Sequence, residues 1–251
     1  VAGESFWLDG TASGARLADI RDVPRFGHVL PLRDKGTIGV GFQPVDFSDG
    51  STRVWAYNPG TRRLRQAPDI AFDYAIPPSG LRTVDDDHLF NGSPERYQWK
   101  LIGKRELYIP YNSYRLSDGR YKNKDLLTKG HFNQAGTRYE LHRVWVVEAT
   151  LRPGNTHSFG KRVFYVDEDS WNVVLVENHD PKGALWRFQE GHLLPLYDVQ
   201  AAFAVPSLTY DLKSGSYFAE RLFSESPAIQ YGLPMTDQEF LPAAVKNKYS
   251  R

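Results

Sequence analysis

The chain has 251 residues, with 31 basic and 30 acidic side chains and a formal net charge of +1. This balance leaves no basic footprint for nucleic acid, and we expect the run Arg62, Arg63 and Arg65 to be a solvated strand face. The absence of cysteine excludes disulfides, thiol nucleophiles and cysteine-based zinc sites. No segment approaches the ~18 continuous apolar residues of a membrane-spanning helix. Because the chain begins at Val1 without methionine or a charged leader, we expect a processed or trimmed form.

The composition and the turn signals predict a mainly β protein. The 14 Tyr, 14 Phe and 6 Trp residues, with 21 Gly and 16 Pro, favour strands and turns over helices. Residues 1–35 are expected to be irregular, with at most a short helix over 11–19, and residues 36–44 to form a glycine-rich strand. Hairpins are predicted where β-branched or aromatic arms flank turns of Asn, Asp and Gly. These hairpins lie at 54–65, 163–177 and 208–221.

Two short helices and one long excursion complete the predicted organisation. Segments 83–90 and 236–246 each begin with a threonine N-cap followed by acidic residues. The acidic run 85–87 is therefore expected to be a solvated helix N-terminus. The polar segment 115–136 contains three glycines and is expected to be a long, functional or mobile excursion between strands. We predict a single antiparallel β-domain over 1–251, in which residues 248–251 fray.

Charged residues interrupt the apolar faces of three longer predicted strands, which span 101–109, 139–151 and 186–194. In the second of these strands the odd-numbered positions form one face, and Arg143 lies in its middle. A charge turned toward a core is costly unless it is paired or holds a ligand. The interrupting residues are Arg105, Arg143, Glu190 and His192.

Several interpretations of these charges stay open. Arg143 or Arg105 forms an internal salt bridge with Glu190, or an arginine receives a carboxylate or phosphate headgroup while aromatic residues hold an apolar body. Alternatively, Glu190 and His192 present an acid–base pair to one cavity. A further alternative is that these side chains lie on the other side of the sheet from the one predicted. The residues expected to be either core or ligand wall are Trp99, Leu101, Trp145, Val147, Phe164, Trp186 and Phe188.

No motif indicates a cofactor or a classical catalytic site. The seven histidines show neither the helical nor the strand spacing that chelates a metal. The acidic residues 167–169, predicted to lie in a hairpin turn, lack the glycine and the glutamate of a calcium loop. There is no Gly-x-Ser-x-Gly motif. We therefore predict no cofactor and no metal.

Five strings resemble the DUF1329 family of Gram-negative bacteria over about residues 51–247. They are RRLRQAPDIAFD (62–73), YQWKLIGKRELYIPYN (97–112), TRYELHRVWVVEATLRPG (137–154), KRVFYVDEDSW (161–171) and LWRFQEGHL (185–193). The family is similar in fold to the LolA/LolB lipoprotein carriers. The resemblance implies a curved antiparallel sheet forming an incomplete (half) barrel, with a few short helices on its concave side. The charges that match the family pattern are Arg105, Glu140, His142, Arg143, Glu190 and His192.

The resemblance also implies a periplasmic or outer-membrane-associated protein with a hydrophobic cavity. Family members carry a longer N-terminal part, so this chain is either a short member or lacks strands. We expect non-enzymatic binding and transfer of a lipid-like or other hydrophobic ligand, admitted by movement of 83–90 or 115–136. An RND-type exporter and an outer-membrane protein are the expected partners, with peripheral membrane contact and no nucleic acid. The alternatives are a hydrolase of an apolar ester that uses Glu190 and His192, and a structural docking subunit of an envelope complex.

Overall fold

The structure is a computed structural model of the chain. It describes residues 4–7, 24–32, 37–44, 53–58, 61–66, 72–76, 79–198, 200–226, 243–244 and 247. The chain divides into two compact units, one formed by Val1–Ala71 with Gly232–Arg251 and the other by Phe72–Tyr231. The prediction of one domain stays a prediction.

The first unit contains a five-stranded antiparallel sheet in sequential order. Its strands are Glu4–Trp7 (β1), Pro24–Leu32 (β2), Thr37–Pro44 (β3), Arg53–Asn58 (β4) and Arg63–Gln66 (β5). The glycine-rich strand and the first hairpin are confirmed as β3 and β4–β5, and Arg62, Arg63 and Arg65 are exposed as predicted.

The prediction of irregular chain over 1–35 is wrong at β1 and β2. Pro24 is the first residue of β2, and Pro31 lies beyond the stretch of β2 that pairs with β1. Neither proline therefore removes a donor from that pairing. The helix predicted over 11–19 and the tail 248–251 lie outside the described residues. So does most of the helix predicted over 236–246, of which 243–244 are described and helical.

The second unit contains a seven-stranded antiparallel sheet in which each strand pairs with the next in sequence. Its strands are Tyr97–Pro110 (β6), Tyr139–Leu151 (β7), Lys161–Asp167 (β8), Val173–His179 (β9), Leu185–Leu196 (β10), Ala201–Asp211 (β11) and Ser216–Glu220 (β12). These strands confirm the three longer predicted strands and the other two hairpins.

This sheet is strongly curled and open. Three strands lie between β6 and β10, so a flat sheet would hold them about 19 Å apart. Cα atoms of the two strands nevertheless come within 8 Å of each other. Just after β6, the Ser113 N–H donates to the Leu193 carbonyl of β10 at 2.9 Å. The concave side, here called the inner face, carries Ile109, Val144 and Val146 of a buried cluster that also includes Val174, Leu193 and Ala204.

The excursion 115–136 covers part of the inner face. The 3₁₀ turn Tyr114–Leu116 leads into it, and it contains the one-turn helix Asn123–Leu126 (α1) and a second 3₁₀ turn, Gln134–Gly136. Its side chains Leu116, Leu126 and Phe132 are fully buried in a cluster with Leu208 of β11. The predicted mainly β fold, with a curved antiparallel sheet and a few short helices, is therefore confirmed, and the short helices of the excursion lie on its concave side.

The opposite, outer face carries a second buried cluster, formed by Leu89, Tyr97, Ala149, Phe164 and Val176. Leu89 ends the 3₁₀ segment Val84–Leu89, here called the acidic turn, which packs on this face of the sheet. β7 therefore buries its inner side at Val144 and Val146 and its outer side at Ala149. No helix among the described residues is long and apolar enough to span a membrane.

Candidate ligand-binding site

The residues predicted to form one site divide between the two faces of the sheet. On the outer face, Leu101 pairs with Val147 and Val147 pairs with Phe164. The rings of Trp99 and Phe164 lie 5.7 Å apart. On the inner face, Glu190 pairs with Leu175, whose side chain packs against the inner cluster. Phe188 lies two residues before Glu190 on the same strand and shares its face.

The inward orientation predicted for Arg143 is wrong. Its side chain is 64% exposed and pairs with Glu168 at 2.8 Å. At this part of β7 the even-numbered residues Val144 and Val146 face the inner cluster, so the odd-numbered ones face the other way. The odd-numbered positions become buried only further along, where Ala149 joins the outer cluster. Each end of β7 thus buries a different face, which alternation alone does not reveal.

The other predicted residues lie on three different strands, β6, β7 and β10. Arg105 shares the inner side with its pairing partner Val144, but it is exposed because β6 is an edge strand. Lys104 Nζ lies 4.3 Å from the ring centre of Trp145. Trp186 donates its indole N–H to Asp211 at 3.0 Å. The ligand-binding roles expected for these residues stay predictions.

The fully buried arginine of this sheet is Arg162 of β8, which sequence reasoning missed. Its Nη2 lies 2.6 Å from Asp86 Oδ1, and its Nη1 lies 3.2 Å from Asp85 Oδ2. Its Nε donates to Asn178 at 2.8 Å. A signal for this burial is present in the sequence, because Arg162 alternates with Phe164 and Val166 along one side of β8.

The prediction that residues 85–87 form a solvated helix N-terminus is wrong for Asp85 and Asp86, each of which is 1% exposed. Thr83 caps the acidic turn as predicted, and its N–H donates to Asp86 at 2.8 Å. Burial by itself would raise the pKa of the Asp85 carboxyl. The Arg162 guanidinium and His157, whose Nε2 lies 3.1 Å away, hold that pKa below its ordinary value. This network attaches the acidic turn to the outer face.

Glu190 and His192 converge on the inner face, as predicted, and a third residue joins them. Tyr139 donates its hydroxyl to Glu190 Oε1, and His192 Nε2 lies 3.6 Å from Glu190 Oε2. His192 is fully buried, and neither of its ring nitrogens makes a hydrogen bond to a described residue. The Phe132 ring lies 6.0 Å from the His192 ring. We call Tyr139, Glu190 and His192 the inner polar group.

Electrostatics favour the ionised form of Glu190 in this group. Burial raises the pKa of Glu190, but the neighbouring His192 and the Tyr139 hydroxyl outweigh that effect and leave the pKa below its ordinary value. Burial and the Glu190 carboxylate together raise the pKa of Tyr139 far above its ordinary value. Glu190 is therefore the ionised acceptor and Tyr139 the neutral donor.

One cluster of the described residues has the donor set of a cation site. His142, Asp167 and Asp169 place their ligand atoms within 4.8 Å of one another. His142 Nδ1 lies 3.0 Å from Asp167 Oδ1, and Asp167 Oδ2 also accepts the Ser170 N–H at 2.9 Å. These contacts already satisfy the cluster as an ion-paired turn between β8 and β9.

The family model described as "Protein of unknown function (DUF1329)" matches residues 4–246. An uncharacterised protein of Pseudomonas aeruginosa is 44% identical over 197 residues, which are 78% of this chain and 43% of that protein. The chain thus spans less than half the length of this relative. The crystal structure of a DUF1329 family protein from Desulfovibrio piger has a similar fold. That likeness covers 96% of this chain and 81% of that one at 12% identity, with a TM-score of 0.55.

The crystal structure of a LolA superfamily protein from Nitrosomonas europaea is a weaker match. It covers 77% of this chain and 73% of that one at 12% identity, with a TM-score of 0.39. A likeness at that level supports no inference about role.

Proposed function

The chain belongs to the DUF1329 family, and we propose that it binds and transfers a lipid-like or other hydrophobic ligand without converting it chemically. The observation that carries this proposal is the apolar inner face of an open, curled sheet, part of which the excursion covers. Transfer of apolar ligand surface from water to such a face contributes about 25 cal/mol per Å² before entropy costs. We propose the periplasm or the outer membrane as the location.

The excursion 115–136 is the proposed entrance. Its attachment relies on apolar contacts such as Phe132 with Leu208, which an apolar ligand can replace at little cost. The Tyr217 hydroxyl adds a hydrogen bond to the Thr128 carbonyl at 2.8 Å. The acidic turn is a poorer lid, because its opening would separate Arg162 from two buried carboxylates.

The absence of cysteine allows a specific test of this entrance. A polarity-sensitive dye is attached at Lys129→Cys in the excursion, with Lys182→Cys in the β9–β10 turn as the matched control; both lysines are exposed. Titration with the apolar amine N-phenyl-1-naphthylamine should give saturable one-to-one binding. It should change the dye emission at position 129 and leave that at 182 unchanged. Non-saturable binding, or equal changes at both positions, would contradict the proposal.

The convergence of Glu190 and His192 favours one alternative function, hydrolysis of an apolar ester by an acid–base pair. Incubation with p-nitrophenyl laurate separates the two functions. A carrier releases no more nitrophenol than a buffer control. A hydrolase turns the ester over, and Glu190→Gln abolishes turnover while leaving probe binding near normal.

The edge strand β6 favours a docking role as a second candidate function. Its side chains Leu101, Ile102 and Tyr108 are all exposed large apolar groups. Such an edge can pair with another chain or contact a membrane surface. We propose an RND-type exporter and an outer-membrane protein as partners. Pull-downs with wild type and Tyr108→Lys should differ in recovery of these two proteins if β6 is the docking edge, and should match if it is not.

A further inference from the structure

We infer that the polar end of the ligand is a hydrogen-bond donor, a hydroxyl or an amine, which the inner polar group accepts. This inference rests on the proposed function and identifies the chemical class of its ligand. It reverses the expectation of an anionic headgroup, which depended on inward-facing arginines.

The inner polar group offers more acceptors than donors. An ionised carboxylate accepts about four hydrogen bonds, and Tyr139 supplies one to Glu190. His192 Nε2 faces Glu190, and in the neutral tautomer that carries its proton there, the Nδ1 atom is a further acceptor without a partner among the described residues. The hydroxyl proton of Tyr139 is already committed to Glu190. A ligand that brings N–H or O–H groups complements this arrangement, and one that brings only acceptors does not.

Burial makes this preference effective. Glu190 is 6% exposed and His192 is fully buried, so water competes poorly for their acceptors. Buried acceptors without partners are costly, and a donor from the ligand removes that cost. Apolar side chains adjoin the group: Phe132 lies beside His192, and Leu208 is the pairing partner of Glu190 on β11. The apolar body of the ligand would lie along these side chains.

The charges on the inner face disfavour an anion near this group. Glu177 pairs with Phe188 and therefore shares the face of Glu190, and it accepts the Tyr165 hydroxyl at 2.8 Å. Glu140, on the inner side of β7, is paired with Arg138 at 2.7 Å. The cation on the inner side of β6 is Arg105, which is exposed at the sheet edge. An anionic headgroup would therefore select Arg105, and a donor headgroup would select Glu190.

The test compares amphiphiles with the same alkyl chain and different polar ends. Each amphiphile is titrated into wild-type protein loaded with N-phenyl-1-naphthylamine, and displacement of this probe is measured. The four compounds are dodecylamine, 1-dodecanol, dodecyltrimethylammonium and dodecanoate. We expect the amine and the alcohol to displace the probe at concentrations about tenfold or more below that of dodecanoate. The trimethylammonium compound, a cation without a donor, should be weaker than the amine.

Three variants locate the recognition. Glu190→Gln should bring the amine and dodecanoate toward equal displacement, and Arg105→Met, the control, should leave the order unchanged. If Glu190→Gln does not fold, Tyr139→Phe replaces it. That variant frees one acceptor on Glu190, so the amine should bind at least as tightly as to wild type while dodecanoate stays weak.

The outcomes separate this inference from the proposed function. Strongest displacement by dodecanoate, lost in Arg105→Met, would overturn the inference and place an anion at the sheet edge. Equal displacement by all four compounds would also overturn it, while leaving apolar binding intact. Failure of the probe itself to bind would overturn the proposed function and the inference together.

Discussion

Replacement of Arg162 by methionine should destabilise the protein severely, whereas the same change at Arg143 should be almost silent. Methionine replaces the aliphatic part of the side chain and removes the guanidinium. In Arg162→Met the carboxylates of Asp85 and Asp86 stay buried without their cation. Removal of one partner from a buried ion pair costs about 3–5 kcal/mol. Arg143 is 64% exposed, and a solvent-exposed ion pair contributes little.

The assay is thermal unfolding at pH 7, followed by circular dichroism, for wild type and the two variants. In a unit the size of Phe72–Tyr231, each kcal/mol lowers the midpoint by about 2–4 °C. We therefore expect a loss of about 6–20 °C for Arg162→Met and little change for Arg143→Met. A triple variant that adds Asp85→Asn and Asp86→Asn to Arg162→Met should recover part of the loss, because no charge then stays buried.

Two results would refute this reasoning. One is a midpoint for Arg162→Met that matches that of Arg143→Met, which would mean that the buried pairs contribute nothing. The other is a triple variant less stable than Arg162→Met, which would mean that the loss came from packing rather than from unpaired charge.

Further predictions concern pH and packing. The pKa of Asp85 is lower in the folded protein than its ordinary 3.8, so the stability that its ionised form contributes is present above that value and lost as the pH falls toward the folded-state pKa. Urea unfolding of wild type and Asp85→Asn should show a difference that is constant above about pH 5 and shrinks below about pH 4; a difference that grows on acidification would contradict this. Gly191→Ala would place a Cβ 2.7 Å from Leu89 Cδ1 and 2.8 Å from Ala204 Cβ. Urea unfolding should therefore show a free energy of unfolding lower by about 1–3 kcal/mol. An unchanged midpoint would contradict that packing. Phe132→Ala removes a fully buried ring of the excursion, and amide hydrogen exchange should accelerate in 115–136 and not in β7 or β8; uniform acceleration would show that the excursion does not open independently.

The strands were predictable because their signals are local. Alternation and turn residues located β7 at Tyr139–Leu151 and the hairpins on either side of 167–170 and 212–215. The side of the sheet on which each side chain is buried was harder to predict, because it depends on what covers each face. β7 is covered on one side near Val144 and on the other near Ala149, so no single assignment fits the whole strand.

The candidate site was predictable only in part, and for the same reason. Glu190 and His192 are two residues apart on one strand, so their convergence follows from strand geometry. Tyr139 reaches Glu190 from 51 residues away, and no local pattern reports such a contact. Asp85 and Asp86 resemble any capped helix start, and their burial depends on an arginine more than 70 residues later in the chain.

The most direct test of ligand carriage identifies what the protein holds when it is isolated without detergent from the periplasm, the compartment proposed for it. Native mass spectrometry measures the mass of the intact protein with any bound compound, and organic extraction then releases that compound for identification. We predict a stoichiometric apolar compound whose polar end bears a hydroxyl or an amine. Protein that is consistently empty in well-controlled preparations would contradict the carrier function and favour docking through β6.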